Sequence, residues 1–298
     1  MRPAAAITLL ALAVTPISAT DISPRAGGCP GVWQAIAGDL KNIFQGCNKA
    51  ARSAVRAVFH DCMPDGCNGS LILSEEECSR VENLGLKDLC KTLNQKRRQY
   101  GVGAADMVQF AGAMALSACP LGPKVDALVG RRDSYKPAPP NGLPRSSDPV
   151  AKILGMFAAK GFYEIDVVAL LGTHSIALQF QDDPSKAGRS LDSSPAVCDI
   201  RYFAETMAGT APYSLASDRL MATTGTTRKS YAVFAKSTKK WADAFVPAWN
   251  RLAVIGNDVH TLQDCSYLIP KSEVPRARGV AHAQMMEKLA KKFIGEEH

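Results

Sequence analysis

Apolar residues recur along this chain at helical rather than strand spacing. Trp33, Ile36, Leu40 and Ile43 step by three and four, so they form one face of an amphipathic helix. A second apolar-rich helix is predicted over 51–60. A third is predicted over 104–117, where Met107, Phe110, Ala111 and Met114 share a side. Ser147 or Asp148 supplies an N-cap for a helix over 148–159. Residues 165–178 are nearly all apolar, which predicts a buried helix. Trp241, Phe245, Trp249 and Leu252 mark a late helix. No alternation of period two is long enough for a main sheet, so the expected class is mainly α.

The intervals between these stretches suggest an organisation. Residues 136–149 are rich in Pro, Gly, Ser and Asn and read as a connector between two helical lobes, 20–140 and 141–270. Residues 271–298 form a polar tail. Residues 1–19 read as a signal peptide: Arg2 is the positive start, 4–14 are apolar but too few to span a bilayer, and Ile17-Ser18-Ala19 ends on a small residue at the cleavage point. A secreted, extracellular product is expected, with no membrane partner.

Charge and cysteine content narrow the class further. The formal net charge of +7 is mild and dispersed; Lys96-Arg97-Arg98 and Lys239-Lys240 are its densest points. A nucleic-acid footprint needs a denser basic stripe, so these read as solvated helix faces. All nine Cys follow residue 19, and in an oxidising compartment they form disulfides. An odd count leaves at least one without a partner in the chain. A structural zinc site is disfavoured, because no two Cys stand in a CxxC pair.

Histidine is scarce, with five in the chain. His260, His282 and His298 lie in polar or terminal surroundings. His60 and His174 sit in apolar stretches, where a lone His is usually a satisfied core residue. Their neighbours argue otherwise. Arg56 and His60 are four apart and on a helix point the same way. Two groups that can both be cationic make a poor structural pair but a good peroxide-cleaving one. A neutral imidazole moves a proton between the peroxide oxygens, and a guanidinium stabilises the charge that develops as the O–O bond breaks. His174 in its apolar stretch suits an iron ligand under a flat macrocycle, and such a ligand needs an acceptor on its other nitrogen. Asp218 is the candidate, although on spacing alone it reads more readily as an N-cap or turn Asp.

These segments resemble the haem peroxidase superfamily of plants, fungi and bacteria, and its secreted fungal branch in particular. The resemblance runs from about Cys29 to Pro270. It rests on motifs in family order: Arg56-x-x-Phe59-His60-Asp61-Cys62; Asn83-Leu84-Gly85-Leu86; Ala105-Asp106 through Phe110-Ala111-Gly112; Gly130-Arg131-Arg132-Asp133; and Leu171-Gly172-Thr173-His174-Ser175. Asp192-Ser193-Ser194-Pro195 with Asp199, Phe203 and Glu205-Thr206 points to the fungal branch.

The resemblance implies a two-lobed helical fold with one haem b between a distal lobe (20–140) and a proximal lobe (141–270). Arg56 and His60 are then the distal pair, and Phe59 packs over the haem. Asn83 accepts a hydrogen bond from His60, with Glu77 behind it. His174 is the axial ligand and Asp218 its partner. Two calcium sites are implied as well. The distal one takes the Asp61, Asn68 and Ser70 side chains and the Gly66 carbonyl, with Pro64 as a further candidate. The proximal one takes Ser175, Asp192, Ser194 and Asp199 with the Val197 carbonyl. Asn68 stands where the family usually has Asp, so the distal site loses one negative charge. Asn68-Gly69-Ser70 is also the chain's one N-glycosylation triplet, and as a metal loop it would be unmodified. Apart from the resemblance, either loop reads as a plain Asp/Ser/Gly turn.

By the same route, Cys29 with Cys265 and Cys47 with Cys119 resemble fungal disulfides, and Cys62 with Cys67 resembles a plant secreted one. Cys78 with Cys90 is what elimination leaves, with Cys198 unpaired.

Departures from the family pattern bear on the substrate. The acidic trio of manganese-oxidising relatives matches Lys49, Ser53 and Phe180 here, none of them acidic. The exposed Trp of relatives that oxidise lignin-like substrates at the surface lies five residues before the axial His; here that residue is Ala169. What remains is a monomer that takes hydrogen peroxide and small, phenolic-type reducing substrates at the haem edge. Leu191 replaces the family's usual aromatic residue below the haem, which implies a different redox potential. The competing readings are a secreted haem-binding or peroxide-sensing protein with little turnover, and a haem-free, calcium-stabilised adhesion protein or hydrolase. The Arg56/His60 pair argues against the former, and the lack of a recognisable Ser, Cys or carboxylate arrangement argues against a hydrolase.

Overall fold

The structure is a computed structural model, and the residues it describes are 28–273. The expected signal peptide (1–19) and the tail beyond residue 273, with His282 and His298, lie outside them. Among the described residues the fold is mainly helical, and no helix is long and apolar enough to cross a membrane.

Helix α1 (Val32–Ile43) buries Trp33, Ile36 and Leu40, three of its four predicted positions. Helix α2 (Lys49–Asp65) starts at Asn48, whose side chain accepts from the Ala51 amide, and it runs five residues past the predicted end to include Pro64. Two short helices follow, α3 (Ser70–Leu73) and α4 (Glu75–Ser79), then α5 (Lys87–Tyr100). Helix α6 (Ala104–Ala118) is buried from Ala104 through Ser117. It packs along α2, and Gly112 makes the close approach possible: a Cβ there would lie 2.1 Å from Val58 Cγ2.

The Gly130-Arg131-Arg132-Asp133 motif is structural. The Asp133 carboxylate accepts from the amides of Ala104 and Ala105, both at 2.9 Å, which caps α6. Arg131, buried, pairs with Asp106 at 2.9 Å and donates to the Ala253 carbonyl.

The second half of the chain holds α7 (Val150–Ala158), α8 (Glu164–Leu171), α9 (Arg201–Ala208), α10 (Ala216–Thr223), α11 (Thr227–Phe234) and α12 (Thr238–Leu252). Helix α8 packs against α11 and α12, and α12 buries Trp241, Phe245, Trp249 and Leu252, the four predicted positions. Strands are vestigial. Among the described residues β1 (Leu128–Val129) pairs antiparallel with β4 (Gln263–Asp264), and β2 (Leu178–Gln179) with β3 (Arg189–Ser190).

Two predicted elements differ from the structure. Helix α7 starts at Val150 with Pro149 as N-cap. Asp148 instead closes the preceding turn, accepting from the Arg145 amide at 2.9 Å and pairing with Lys152 at 2.8 Å. The long apolar helix over 165–178 is interrupted: α8 stops at Leu171, residues 172–176 form a 3₁₀ turn, and β2 follows. The reason is local competition for carbonyls. Thr173 Oγ1 donates to the Leu170 carbonyl and Ser175 Oγ to that of Gly172, offering the backbone an alternative to continued helix.

Disulfides join Cys29–Cys265, Cys47–Cys119, Cys62–Cys67 and Cys78–Cys90, the pairs expected. Cys198 is buried and unpaired. Burial pushes its thiol up to about 12, so it stays protonated and inert.

Candidate haem site

Two histidine clusters face the junction where α2 packs against residues 172–176. The first is carried by α2. Arg56 and His60 lie one turn apart, and Arg56 Nε donates to His60 Nε2 at 2.9 Å. Arg56 Nη2 also donates to the Glu82 carbonyl at 2.8 Å. His60 Nδ1 lies 2.6 Å from Asn83 Oδ1. An amide oxygen only accepts, so Nδ1 carries the proton and Nε2 the lone pair. Asn83 is fixed in turn by donating to the Glu77 carbonyl at 2.8 Å. The support from Glu77 is therefore a backbone contact; its buried carboxylate serves elsewhere, accepting from the Ala138 amide at 2.7 Å.

Burial first, and the Arg56 cation second, hold the His60 imidazole well below the ordinary histidine value. At neutral pH it is the neutral imidazole, a base at Nε2. Arg56 retains accessible surface, yet desolvation lowers its pKa too. Phe59 is half-buried and stacks on Phe157 of α7, with centroids 5.7 Å apart and planes 15° from parallel.

The second cluster is carried by the 3₁₀ turn and α10. His174 Nδ1 lies 2.8 Å from Asp218 Oδ2, so its Nε2 is the position left for a ligand. The His174 side chain is 26% exposed whereas Asp218 is 1% exposed, an open ring held by a closed carboxylate. Asp218 sits in the first turn of α10 and not at its N-cap, which is Leu215. Its other oxygen, Oδ1, is buried with no hydrogen-bond partner among the described residues. Leu191 is buried. Tyr202 packs edge-on to the His174 ring, and Trp241 Nε1 donates to the Ala169 carbonyl at 3.0 Å. Sequence reading passed over Tyr202 as a neighbour of His174, since a lone Tyr in an amphipathic helix carries no signal.

The loops expected to hold calcium are built from buried and partly buried oxygens. Asp61 is fully buried; its carboxylate accepts from the amides of Gly69 and Leu71 and from Gln109, and burial pushes it up to about 7. Ser70 Oγ is buried without a hydrogen-bond partner among the described residues. Asn68 Oδ1 accepts from the Ser70 amide at 3.0 Å. Gly66, also buried, has φ +97°, and Gly69 has φ +74° with the Ala105 amide 2.4 Å from where its Cβ would be.

In the other loop Ser194 Oγ bridges Asp192 at 3.5 Å and Asp199 at 3.0 Å. Burial, with Asp199 and Glu205 nearby, pushes Asp192 up to about 8 and raises Asp199. Ser175 is buried and donates to Gly172, and the Val197 carbonyl accepts from the Asp199 amide at 3.0 Å. Among the described residues no three His, Cys, Asp or Glu side chains converge as a metal cluster. Either loop would therefore depend on hydroxyl, amide and carbonyl oxygens beside its carboxylates, the donor set of a hard cation.

Two of the positions that the resemblance relates to substrate choice differ in exposure. Phe180 is 40% exposed and Ala169 is fully buried.

Comparison with known proteins places the chain as a whole. The peroxidase family model matches residues 36–237. The chain is 35% identical to a low-redox potential peroxidase of Taiwanofungus camphoratus over 258 residues, covering 80% of this chain and 77% of the relative. It is 32% identical to manganese peroxidase 2 of Phlebia radiata, covering 89% and 78%. It is 30% identical to a peroxidase of Arthromyces ramosus, covering 84% and 82%.

Proposed function

The chain belongs to the peroxidase family and is a haem peroxidase, and from that premise we propose that it works outside the cell, as a monomer, reducing hydrogen peroxide and oxidising small phenolic-type donors by one-electron steps. The arrangement that carries the reading is the pair of oriented imidazoles: His60 with Nδ1 tied to Asn83, and His174 with Nδ1 tied to Asp218. Each presents Nε2. The residues fit a haem, since His174 is open at its ring while its carboxylate partner is sealed.

His174 would ligate the iron through Nε2, and Phe59 would lie against the macrocycle. One haem b, when bound, supplies the iron that accepts two oxidising equivalents from peroxide and passes them singly to donors. The protein moves the proton. His60 Nε2 takes it from hydrogen peroxide and returns it to the oxygen that leaves as water. Arg56 must first give up its bond to Nε2, which its accessible side chain permits; its charge then stabilises the leaving oxygen. Asn83 keeps the proton on Nδ1 throughout. Asp218 holds the axial imidazole and increases its basicity.

Donor choice follows from what the rim lacks. Lys49, Ser53 and Phe180 offer no acidic site for manganese, and buried Ala169 offers no surface radical. Phenols reacting at the haem edge remain. Asp61, Asn68 and Ser70 with Gly66 would hold one calcium ion, with Pro64 nearby. Ser175, Asp192, Ser194 and Asp199 with Val197 would hold a second.

The test is the absorption spectrum of the haem-loaded protein before and after one equivalent of peroxide. The expected result is a Soret band that falls and recovers on adding a phenol. In His60→Ala, haem is retained and the fall is slower by about 10²–10⁴-fold. A haem band indifferent to peroxide would overturn the reading in favour of a binding or sensing protein.

A further inference from the structure

Two tyrosines are buried together behind His174. The ring of Tyr202, on α9, meets the His174 ring edge-on, with centroids 5.6 Å apart and planes at 83°. The hydroxyls of Tyr202 and Tyr231 lie 2.8 Å apart, and both residues are fully buried. One O–H donates to the other oxygen, and the remaining O–H proton needs another acceptor. Asp218 is the group at hand. Its Oδ1 is buried and lacks a hydrogen-bond partner among the described residues.

A hydrogen-bonded tyrosine pair can simply satisfy a core. This one stands beside the histidine expected to ligate the iron, and phenols are among the side chains most easily oxidised by one electron. We propose that the Tyr202–Tyr231 pair is a second redox site, an internal one-electron donor to the haem when no external donor is present. The inference rests on the peroxidase reading above.

The step balances within the fold. The phenol pair loses one electron to haem already oxidised by hydrogen peroxide. The proton released from the hydroxyl passes to Asp218 Oδ1, and a neutral phenoxyl radical remains on the pair. Both phenols are fully buried, so the proton leaves with the electron and no charge is left on the pair. The site stores the oxidising equivalent and does not export it. From Tyr202 the aromatic series continues through Phe203, Trp241, Phe245 and Trp249, and every member is buried. The radical is thus shielded from bulk donors.

The experiment mixes the haem-loaded full chain with hydrogen peroxide, without donor, and reads the freeze-quenched sample by electron paramagnetic resonance alongside its Soret band. A tyrosyl signal is expected in the unaltered protein. It is expected to persist when the exposed Tyr135, Tyr163 and Tyr267 are all changed to Phe, and to vanish in the Tyr202→Phe/Tyr231→Phe double variant while the Soret response remains. A signal that survives in the double variant overturns the proposal. So does a normal Soret response with no tyrosyl signal in the unaltered protein, and that result leaves the peroxidase reading standing. No Soret response at all overturns both. Should the double variant fail to bind haem, Tyr231→Phe alone decides. Its remaining phenoxyl loses a hydrogen bond, so a changed spectrum supports the pair and an unchanged one rules it out.

Discussion

The indole of Trp241 occupies the space that a side chain at residue 172 would need: a Cβ on Gly172 would lie 2.3 Å from Trp241 Nε1. The same nitrogen donates to the Ala169 carbonyl at 3.0 Å. Helix α12 therefore grips the end of α8 and the start of the turn that carries His174. Gly172→Ala drives a methyl into a rigid ring, and overpacking of this kind costs about 1–3 kcal/mol. The expected outcome is a lower melting temperature together with weaker haem retention, because the displaced turn moves His174. Combining it with Trp241→Ala should recover part of the loss from the clash, since the two residues are in contact and their effects are not additive. Melting curves of the two single variants and the double variant check this.

Asp218→Asn tests the axial pair. The amide keeps the size but removes the charge beside His174 Nδ1. Loss of a partner that orients a metal-binding histidine lowers affinity by about 10–100-fold. Haem transfer to an excess of apomyoglobin should speed up accordingly. The Fe(III)/Fe(II) potential should rise, because the ferric state loses a negative charge that favoured it. An unchanged potential would separate Asp218 from the iron's electronics.

As the proposed base, His60 would set the acid limit of the peroxide reaction. Its imidazole is held well below the ordinary histidine range, by burial first and by Arg56 second. The base form therefore persists as pH falls through the ordinary histidine range, and the second-order rate with peroxide should stay flat there. Arg56→Leu removes a cation that opposes protonation. It should move the acid limb to higher pH and slow the reaction by about 10²-fold or more. Stopped-flow rates across pH separate the two effects: the limb reports the imidazole, and the plateau reports the lost guanidinium.

Much of this was legible in the sequence where one residue type answers to one periodicity. Trp241, Phe245, Trp249 and Leu252 announced α12 because their spacing leaves a single apolar face, and all four are buried. Helix α5 gave no such signal: it buries only Leu89, Cys90 and Leu93 and is otherwise polar. The run over 165–178 misled for the opposite reason. Hydrophobicity reports burial, not hydrogen bonding, and the hydroxyls of Thr173 and Ser175 end the helix by taking its carbonyls. Arg56 and His60 could be paired by counting four residues. His174 and Asp218 are 44 apart, so only the motif context suggested that they meet. Tyr202 and Tyr231 lie on separate helices, and their contact exists only in three dimensions.

The loops proposed to hold calcium make a prediction with a definite sign. Without a cation, Asp192 is pushed from 3.8 up to about 8, chiefly by burial, and Asp61 up to about 7. A carboxyl whose folded pKa exceeds its unfolded value binds more protons in the folded state between those two values. The metal-free protein should therefore lose stability as pH rises through that window, from about 4 to about 8. Calcium binds the ionised carboxylates and stabilises only the folded form. The gap in melting temperature between calcium and chelator should then widen steadily across the same window. Asp192→Asn should narrow the gap, and at neutral pH it should raise the melting temperature of the metal-free protein, because folding then no longer requires this carboxyl to take up a proton. Asn68→Asp should act in the reverse sense at the distal loop, tightening calcium while making the metal-free protein more sensitive to rising pH. A gap that is the same at every pH would mean that neither loop exchanges protons for a cation.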